Sequence, residues 1–259
     1  MKNIIFPLIA ITLLLFSQSG IAQDYKLKKV VIDAGHGGKD PGTHGKYTKE
    51  KDLVLKIALK VGKYIEEYIE DVEVIYTRTK DTFPTLGERA VLANNKEADV
   101  FISIHANALP GKSSVYGTET YIMATKNTGR NFEVAKRENA VILLEENYEE
   151  KYEGFNPNSP ESYIMFSLTQ SAFHDNSLLL ANNIQKQFGE RAGRKNLGVK
   201  QSSLYLMWAT AMPSVLVEIG YLTNSKEENE LNSEQTQDYI ASGIYRAFKE
   251  YKNQLESIN

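Results

Sequence analysis

Apolar residues recur along this chain with two different spacings. Short runs rich in β-branched and aromatic residues occupy Lys29–Asp33, Val72–Tyr76, Asp99–Ile104, Gly117–Met123 and Ser214–Ile219, and each reads as a strand. Asp52–Glu70 instead sets Leu55, Ile57, Ala58, Val61, Ile65 and Ile69 at helical intervals, with Lys and Glu on the opposite face. Leu86–Lys96, following Pro84-Thr85, and the stretches Leu178–Phe188 and Glu234–Tyr251 read as further helices. Strands alternating with helices of this length predict an α/β fold, a single domain with a mainly parallel twisted sheet flanked by helices. The unbroken run Val100-Phe101-Ile102-Ser103-Ile104 suits a sheet covered on both faces. No internal repeat or low-complexity linker interrupts residues 23–259, so one catalytic-sized domain is expected to fill them.

One stretch breaks the alternation. Residues 129–171, between the Gly117–Met123 strand and the Leu178 helix, are too long for an ordinary connection. Asn131–Glu150 is helix-forming and acidic, with Glu133, Glu138, Glu145, Glu146, Glu149 and Glu150; Gly154–Pro160 has loop composition. This predicts a helical insertion at the rim of the sheet.

The N-terminus has a different character. A basic start, Met1-Lys2-Asn3, precedes an apolar run from Ile4 to Phe16 and small residues at Gly20 and Ala22, which predicts a cleavable secretory signal over 1–22. The run is shorter than the roughly 20 residues a membrane span requires. The expectation is export across the inner membrane to the periplasm or cell envelope, with no stable membrane span after cleavage. A formal net charge of -3 gives no global basic field for nucleic acid. The absence of cysteine excludes disulfides, a thiol nucleophile and a thiolate metal site.

The remaining chemistry gathers at strand ends. His36 lies in a glycine-rich turn after the first strand, and His105 directly follows the Asp99–Ile104 run. In open α/β sheets ligands bind outside the carboxyl ends of the strands. Glu50, immediately before the Asp52–Glu70 helix, and Glu218, near the end of the Ser214–Ile219 strand, reach the same rim. A carboxylate in so apolar a strand is costly unless it is paired or faces a site. Two imidazoles and one carboxylate make a catalytic zinc set with one position open. The other carboxylate can serve as general acid and base. Placement alone leaves open which carboxylate does which.

Four segments carry a family resemblance. Val31-Ile32-Asp33-Ala34-Gly35-His36-Gly37-Gly38-Lys39-Asp40-Pro41-Gly42, Glu50-Lys51-Asp52-Leu53-Val54-Leu55, Asp99–Ala108 and Val215–Asn224 resemble, in order, the motifs of the zinc-dependent N-acetylmuramoyl-L-alanine amidases of the AmiA, AmiB and AmiC type. The resemblance implies one Zn2+ held by His36, Glu50 and His105, with Glu218 as the catalytic carboxylate. It implies hydrolysis of the amide between N-acetylmuramic acid and L-alanine in peptidoglycan, for wall remodelling or cell separation. Some members of that family cover the site with a helix in the region of 129–171 until a partner displaces it. An activator protein and a zinc-blocking glutamate are therefore expected here too. The sequence departs from the family at Thr48-Lys49, where apolar residues are common, and carries no separate wall-binding domain.

Other residues have weaker claims. Asn107 is a candidate for substrate or for orienting a ligand, and equally for stabilising a turn. Asp33 is a candidate acceptor for the outer N–H of a metal-bound histidine. Arg89 is expected to pair with a carboxylate, chiefly as a structural residue. His44 and His174 read as polar loop residues, and Tyr205 and Trp208 as core or groove wall. The competing functions are a zinc hydrolase that cuts the peptide stem elsewhere and a non-catalytic peptidoglycan-binding module that keeps the fold.

Overall fold

The structure, a computed structural model, describes residues 25–124, 131–167 and 172–257. The expected signal over 1–22 and the ends of the insertion, 129–130 and 168–171, lie outside the described residues. In chain order the elements are β1 (Lys29–Ala34), α1 (Glu50–Tyr68), β2 (Glu73–Tyr76), α2 (Leu86–Asn95), β3 (Val100–Asn107) and β4 (Thr118–Met123). The insertion holds α3 (Phe132–Asn139), a 3-10 turn (Ala140–Leu144), α4 (Tyr148–Lys151) and α5 (Ile164–Ser167). Then come α6 (His174–Glu190), β5 (Asn196–Ser202), α7 (Tyr205–Ala209), β6 (Ser214–Tyr221), α8 (Ser225–Leu231) and α9 (Glu234–Ser257).

The six strands form one sheet in the order β2-β1-β3-β6-β4-β5. β1, β2, β3 and β6 are mutually parallel, whereas β4 pairs antiparallel with β6 and β5 runs parallel to β4. The chain steps outward from β1 to β2, then crosses back to place β3 on the other side of β1. The carboxyl ends of β1 and β3 therefore flank a topological switch point, where α/β sheets form their crevice.

Strand alternation divides the side chains cleanly. Val30, Ile32, Val100, Ile102, Ile104, Val215, Val217 and Ile219 face α1, α6 and α9, where Ile57, Val61, Ile184, Phe188, Ile244 and Phe248 complete the main core. Val31 and Phe101 face the other way, onto Ala90 and Ala93 of α2 and Leu206 of α7. Tyr121, Met123 and Leu216 share that second face and are covered by Phe155, Tyr163 and Phe166 of the insertion. Both faces being covered explains why the strands read as nearly continuous apolar runs. The expected long helix over Asn131–Glu150 is broken instead. Asn131 and Asn147 sit in left-handed conformations, at φ 61° and 57°, and a 3-10 turn separates α3 from α4. Strand β5 was not readable: Asn196-Leu197-Gly198-Val199-Lys200-Gln201-Ser202 is a half-exposed edge strand with little apolar signal.

On the second face a buried polar anchor fixes the rim. Asp33 accepts hydrogen bonds from Thr77 (2.6 Å), Ser103 (2.6 Å) and the Arg89 guanidinium (2.5 Å). Arg89 also donates to the carbonyls of Ala34 (2.7 Å) and His36 (2.7 Å), so it pins the loop that carries His36. Burial pushes the Asp33 carboxyl up, but Arg89, Ser103 and Thr77 outweigh it and hold the group below its ordinary value. Asp33→Asn leaves Arg89 buried without its counter-charge and should cost about 3–5 kcal/mol in urea unfolding at neutral pH. Because the folded carboxyl is the stronger acid, its contribution is complete above the unfolded value of about 4 and fades as pH falls through the folded one. The stability gap between wild type and Asp33→Asn should be flat above that pH and narrow below it. A gap that widens on acidification contradicts this reading.

Candidate metal centre

One register step beyond the Asp33–Ser103 pair, the same face carries Gly35, His105, Glu218 and Glu119 side by side across four strands. His105 is the register partner of Glu218, and Glu218 of Glu119. Gly35 is required here because a Cβ at that position would run into the His105 ring. His105 thus lies within β3 rather than after it, as the strand continues to Asn107. Glu50 is the first residue of α1 rather than the residue before it. Its Oε1 accepts from the Ala106 amide at 2.8 Å and lies 3.1 Å from His105 Nδ1, while Oε2 accepts from the Thr43 amide at 2.7 Å. His36 completes the group from the loop after β1, in a left-handed conformation at φ 57°. Gly42, at φ 66°, lies so close that a Cβ would stand 2.6 Å from both Glu50 Oε2 and His36 Cδ2.

His36, Glu50 and His105 each offer one ligand atom, and these atoms all lie within 4.8 Å of one another in a buried setting. The donor set fits a divalent ion in a further respect. His36 Nδ1 is engaged by Asp40 Oδ2 at 2.7 Å, which directs Nε2 inward. That Nε2 is buried and makes no hydrogen bond among the described residues, although Glu50 Oε2 is 3.2 Å away. The electrostatics point the same way. Burial would lower both imidazoles, yet Glu50 and Asp40 drive His36 well above its ordinary value and Glu138 and Glu50 hold His105 up at about 9. Burial likewise raises Glu50, but the two imidazoles pull it well below the carboxylate range. Metal ligands of this kind bind in their deprotonated forms, so occupancy of such a site would fall as pH drops.

The fourth expected residue is close by. Glu218 is fully buried; its Oε1 accepts from Arg137 Nη2 at 3.2 Å and its Oε2 has no hydrogen-bond partner among the described residues. Burial pushes its carboxyl up to about 8, against Arg137 and with Glu138 and Glu50 adding to the rise. A carboxyl that titrates near neutrality beside two imidazoles is suited to taking and returning a proton.

Not every expected residue joins the group. Asp33 makes its hydrogen bonds to Thr77, Ser103 and Arg89, and the acceptor on His36 is Asp40. Arg89 serves the rim backbone. Asn107 donates to Glu119 at 3.2 Å and caps the Ala108 amide at 2.8 Å. His44 is exposed and His174 begins α6, both outside the cluster. Tyr205 and Trp208 pack together with Phe166 in an aromatic group under the insertion. Four residues escaped the sequence reading. Asp40 stands four residues after His36, and Glu119 breaks an apolar strand just as Glu218 does, so both left a signal. Glu138 is one of the acidic-segment glutamates from which a zinc-blocking residue is expected, though nothing local singles it out, and Arg137 left no signal, because both depend on how α3 folds back. Glu138 Oε2 lies 3.0 Å from His105 Nδ1 and 3.6 Å from His36 Nε2.

An α/β sheet that gathers two imidazoles and a carboxylate at its switch point, with a second buried carboxylate beside them, has the donor set of a candidate metal centre. The comparisons specify the class. The sequence profile of the family described as N-acetylmuramoyl-L-alanine amidase matches residues 30–250, and the chain belongs to that family of peptidoglycan amidases. The amidase AmiA of Escherichia coli (strain K12) is 30% identical over 233 residues, 87% of this chain and 78% of that protein. AmiC of Escherichia coli O6:H1 is 31% identical over 86% of this chain, which spans 52% of AmiC. Among solved structures, the amidase of Clostridium difficile 630 matches with a TM-score of 0.67 at 28% identity, covering 88% of this chain and 98% of that one. The catalytic domain of CwlV from Bacillus (Paenibacillus) polymyxa var. colistinus matches at 0.64 and 33% identity, covering 87% and 98%.

The Asp40 contact gives a direct check on the centre. Asp40→Ala frees His36 to rotate and change tautomer, and should weaken Zn2+ binding about ten- to a hundredfold in competition with a chromogenic chelator. Unchanged affinity removes Asp40 from the site.

Proposed function

We propose that this protein is a zinc-dependent N-acetylmuramoyl-L-alanine amidase of the cell envelope, held closed by its own α3 until a partner moves it. The observation that carries the reading is the convergence of His36, Glu50 and His105 within 4.8 Å, with buried Glu218 as the adjoining strand partner of His105. His36 Nε2, His105 Nδ1 and a Glu50 oxygen would hold the ion. Zinc in that set supplies Lewis acidity, polarising the scissile carbonyl and making a water molecule acidic near neutral pH.

The chain's own residues do the rest. Asp40 fixes the His36 ring, and Gly35 gives the His105 ring its room. The Ala106 and Thr43 amides orient the Glu50 carboxylate. Glu218 accepts a proton from the attacking water and returns it to the leaving nitrogen of L-alanine, the role its buried, raised carboxyl suits. A secretory start and relatives that are wall amidases support an envelope location, and support wall remodelling or cell separation as the setting.

What supports the closed state is the position of two consecutive α3 residues. Glu138 places an oxygen 3.0 Å from His105 Nδ1, and Arg137 holds Glu218 at 3.2 Å. One residue thus occupies the position substrate or water would need, and the next ties up the proton-transfer group. Burial raises Glu138, but His105 and Arg137 bring it down to about 2, so it stands as a carboxylate, a competent ligand for zinc. A solved relative, CwlD of Clostridioides difficile, is described in complex with the GerS lipoprotein, which supports a protein partner for this family.

Two variants test the reading. Glu218→Gln should retain one zinc and release stem peptides from peptidoglycan at least about a hundredfold more slowly. Mass spectrometry of the wild-type products should show intact stems with free L-alanine termini; shortened stems, or a fully active Glu218→Gln, would overturn the assignment. Glu138→Ala should raise the rate of peptidoglycan release several-fold while zinc content stays the same. A folded Glu138→Ala with unchanged rate contradicts closure by α3.

A further inference from the structure

The row across the sheet does not stop at Glu218. Its antiparallel neighbour on the same face is Glu119 of β4, buried and lining a cavity of about 690 Å³ together with Asn107, Tyr121, Tyr221 and Arg137. A volume of this size is typical of a small-ligand site. The donors to Glu119 are neutral: the Tyr121 hydroxyl at 2.7 Å and the Asn107 amide at 3.2 Å, both on Oε2, and the Tyr221 hydroxyl. Among the described residues Glu119 has no cationic partner, because Arg137, the one cation in the cavity wall, is engaged with Glu138 and Glu218. A buried carboxyl group surrounded only by neutral donors is suited to pairing with a cation brought by a ligand.

The chemistry next door makes a cation at this spot. Hydrolysis of the amide consumes one water. The C–O bond forms at the lactyl carbonyl carbon, the C–N bond breaks, and one water proton reaches the nitrogen through Glu218. The acid so formed ionises, and its proton completes the α-ammonium of L-alanine. Directly opposed side chains on antiparallel strands stand about 4.5–5.5 Å apart at Cβ, so one nitrogen can stand within reach of both Glu218 and Glu119. We propose that Glu119 binds the α-ammonium of the stem peptide as it forms, and that the cavity floored by Glu119 and Asn107 receives the peptide half of the substrate. Positive charge grows on this nitrogen as the bond breaks, so a fixed carboxylate there favours the departing state over the bound amide. The inference rests on the amidase reading, since only cleavage at L-alanine places a new ammonium beside Glu218. It assigns to Glu119 a binding role distinct from proton transfer.

The test uses binding, so that it does not depend on turnover. The probe is L-alanyl-γ-D-glutamyl-L-lysine with both amines free, with the α-amine acetylated, or with the lysine ε-amine acetylated. Each is titrated calorimetrically into the zinc-loaded full-length protein carrying Glu138→Ala, which removes the closing carboxylate from the centre. With Glu119 intact, α-acetylation should weaken binding roughly tenfold and ε-acetylation should change it less than about twofold, as expected for one charge-assisted hydrogen-bonded pair. In Glu119→Gln, which keeps an acceptor for Tyr121 and Asn107, the α-acetylation penalty should fall below about twofold, with zinc content and thermal midpoint retained. Glu119→Asp should recover part of the preference, which a purely structural role would not do. A full α-amine preference in folded Glu119→Gln overturns the proposal, and so does a preference set by the lysine ε-amine. Release of intact stems by wild type, measured separately, keeps the two readings apart: if it fails, the amidase reading falls, whereas normal release with an indifferent Glu119 removes this inference alone.

Discussion

Glu50 lies buried between two imidazoles, and the rim of the sheet is arranged to keep it there. A carboxylate at this depth is tolerated only when positive charge and hydrogen-bond donors surround it. The Ala106 and Thr43 amides supply the donors, and the positive charge is what a bound cation would bring beside the His36 and His105 rings, 3.2 and 3.1 Å from the two carboxylate oxygens. Each of these groups is in turn fixed from behind. Asp40 locks one ring, glycine at position 35 clears space for the other, and Arg89 and Arg78 hold the carbonyls of the loop between β1 and α1. The geometry is thus built into backbone and buried polar contacts rather than left to mobile side chains.

Two cavities lie near the centre, and Arg137 of α3 lines both. On one side, His36, Asp40, Gly42 and Thr43 meet Arg137 and Leu144 around about 210 Å³; on the other, Glu119 and Asn107 meet the far flank of α3 around about 690 Å³. The proposed closure needs only two consecutive residues, Arg137 and Glu138. One residue satisfies the imidazoles, the next satisfies Glu218, and withdrawal of α3 would expose all of them at once.

The layered core was legible because its strands and helices obey two clean periods. Val31 against α2 and Ile32 against α1 follow from strand alternation once both faces are covered. His36, Glu50, His105 and Glu218 were legible because each sits where a strand or helix meets the rim, and because a buried carboxylate in Val215–Ile219 needs a reason. The β5 edge strand was not, since Gly198, Lys200 and Gln201 offset its apolar positions. Nor was the pairing of Asp33, which turns to Arg89 and Ser103 because strand register places those donors beside it. The identity of the glutamate on α3 depended on left-handed turns at Asn131 and Asn147, whose effect on the path of the chain no local pattern announces.

The account turns on whether a single metal ion occupies the point where His36, Glu50 and His105 converge. Zinc stoichiometry by elemental analysis, followed by X-ray absorption at the zinc edge on the same purified protein, measures this most directly. One zinc per chain is expected, in a shell of two imidazole nitrogens and oxygen donors with no sulfur. Well-folded protein that carries no zinc, does not take it up when it is added, and cuts peptidoglycan equally with or without chelator would contradict the account.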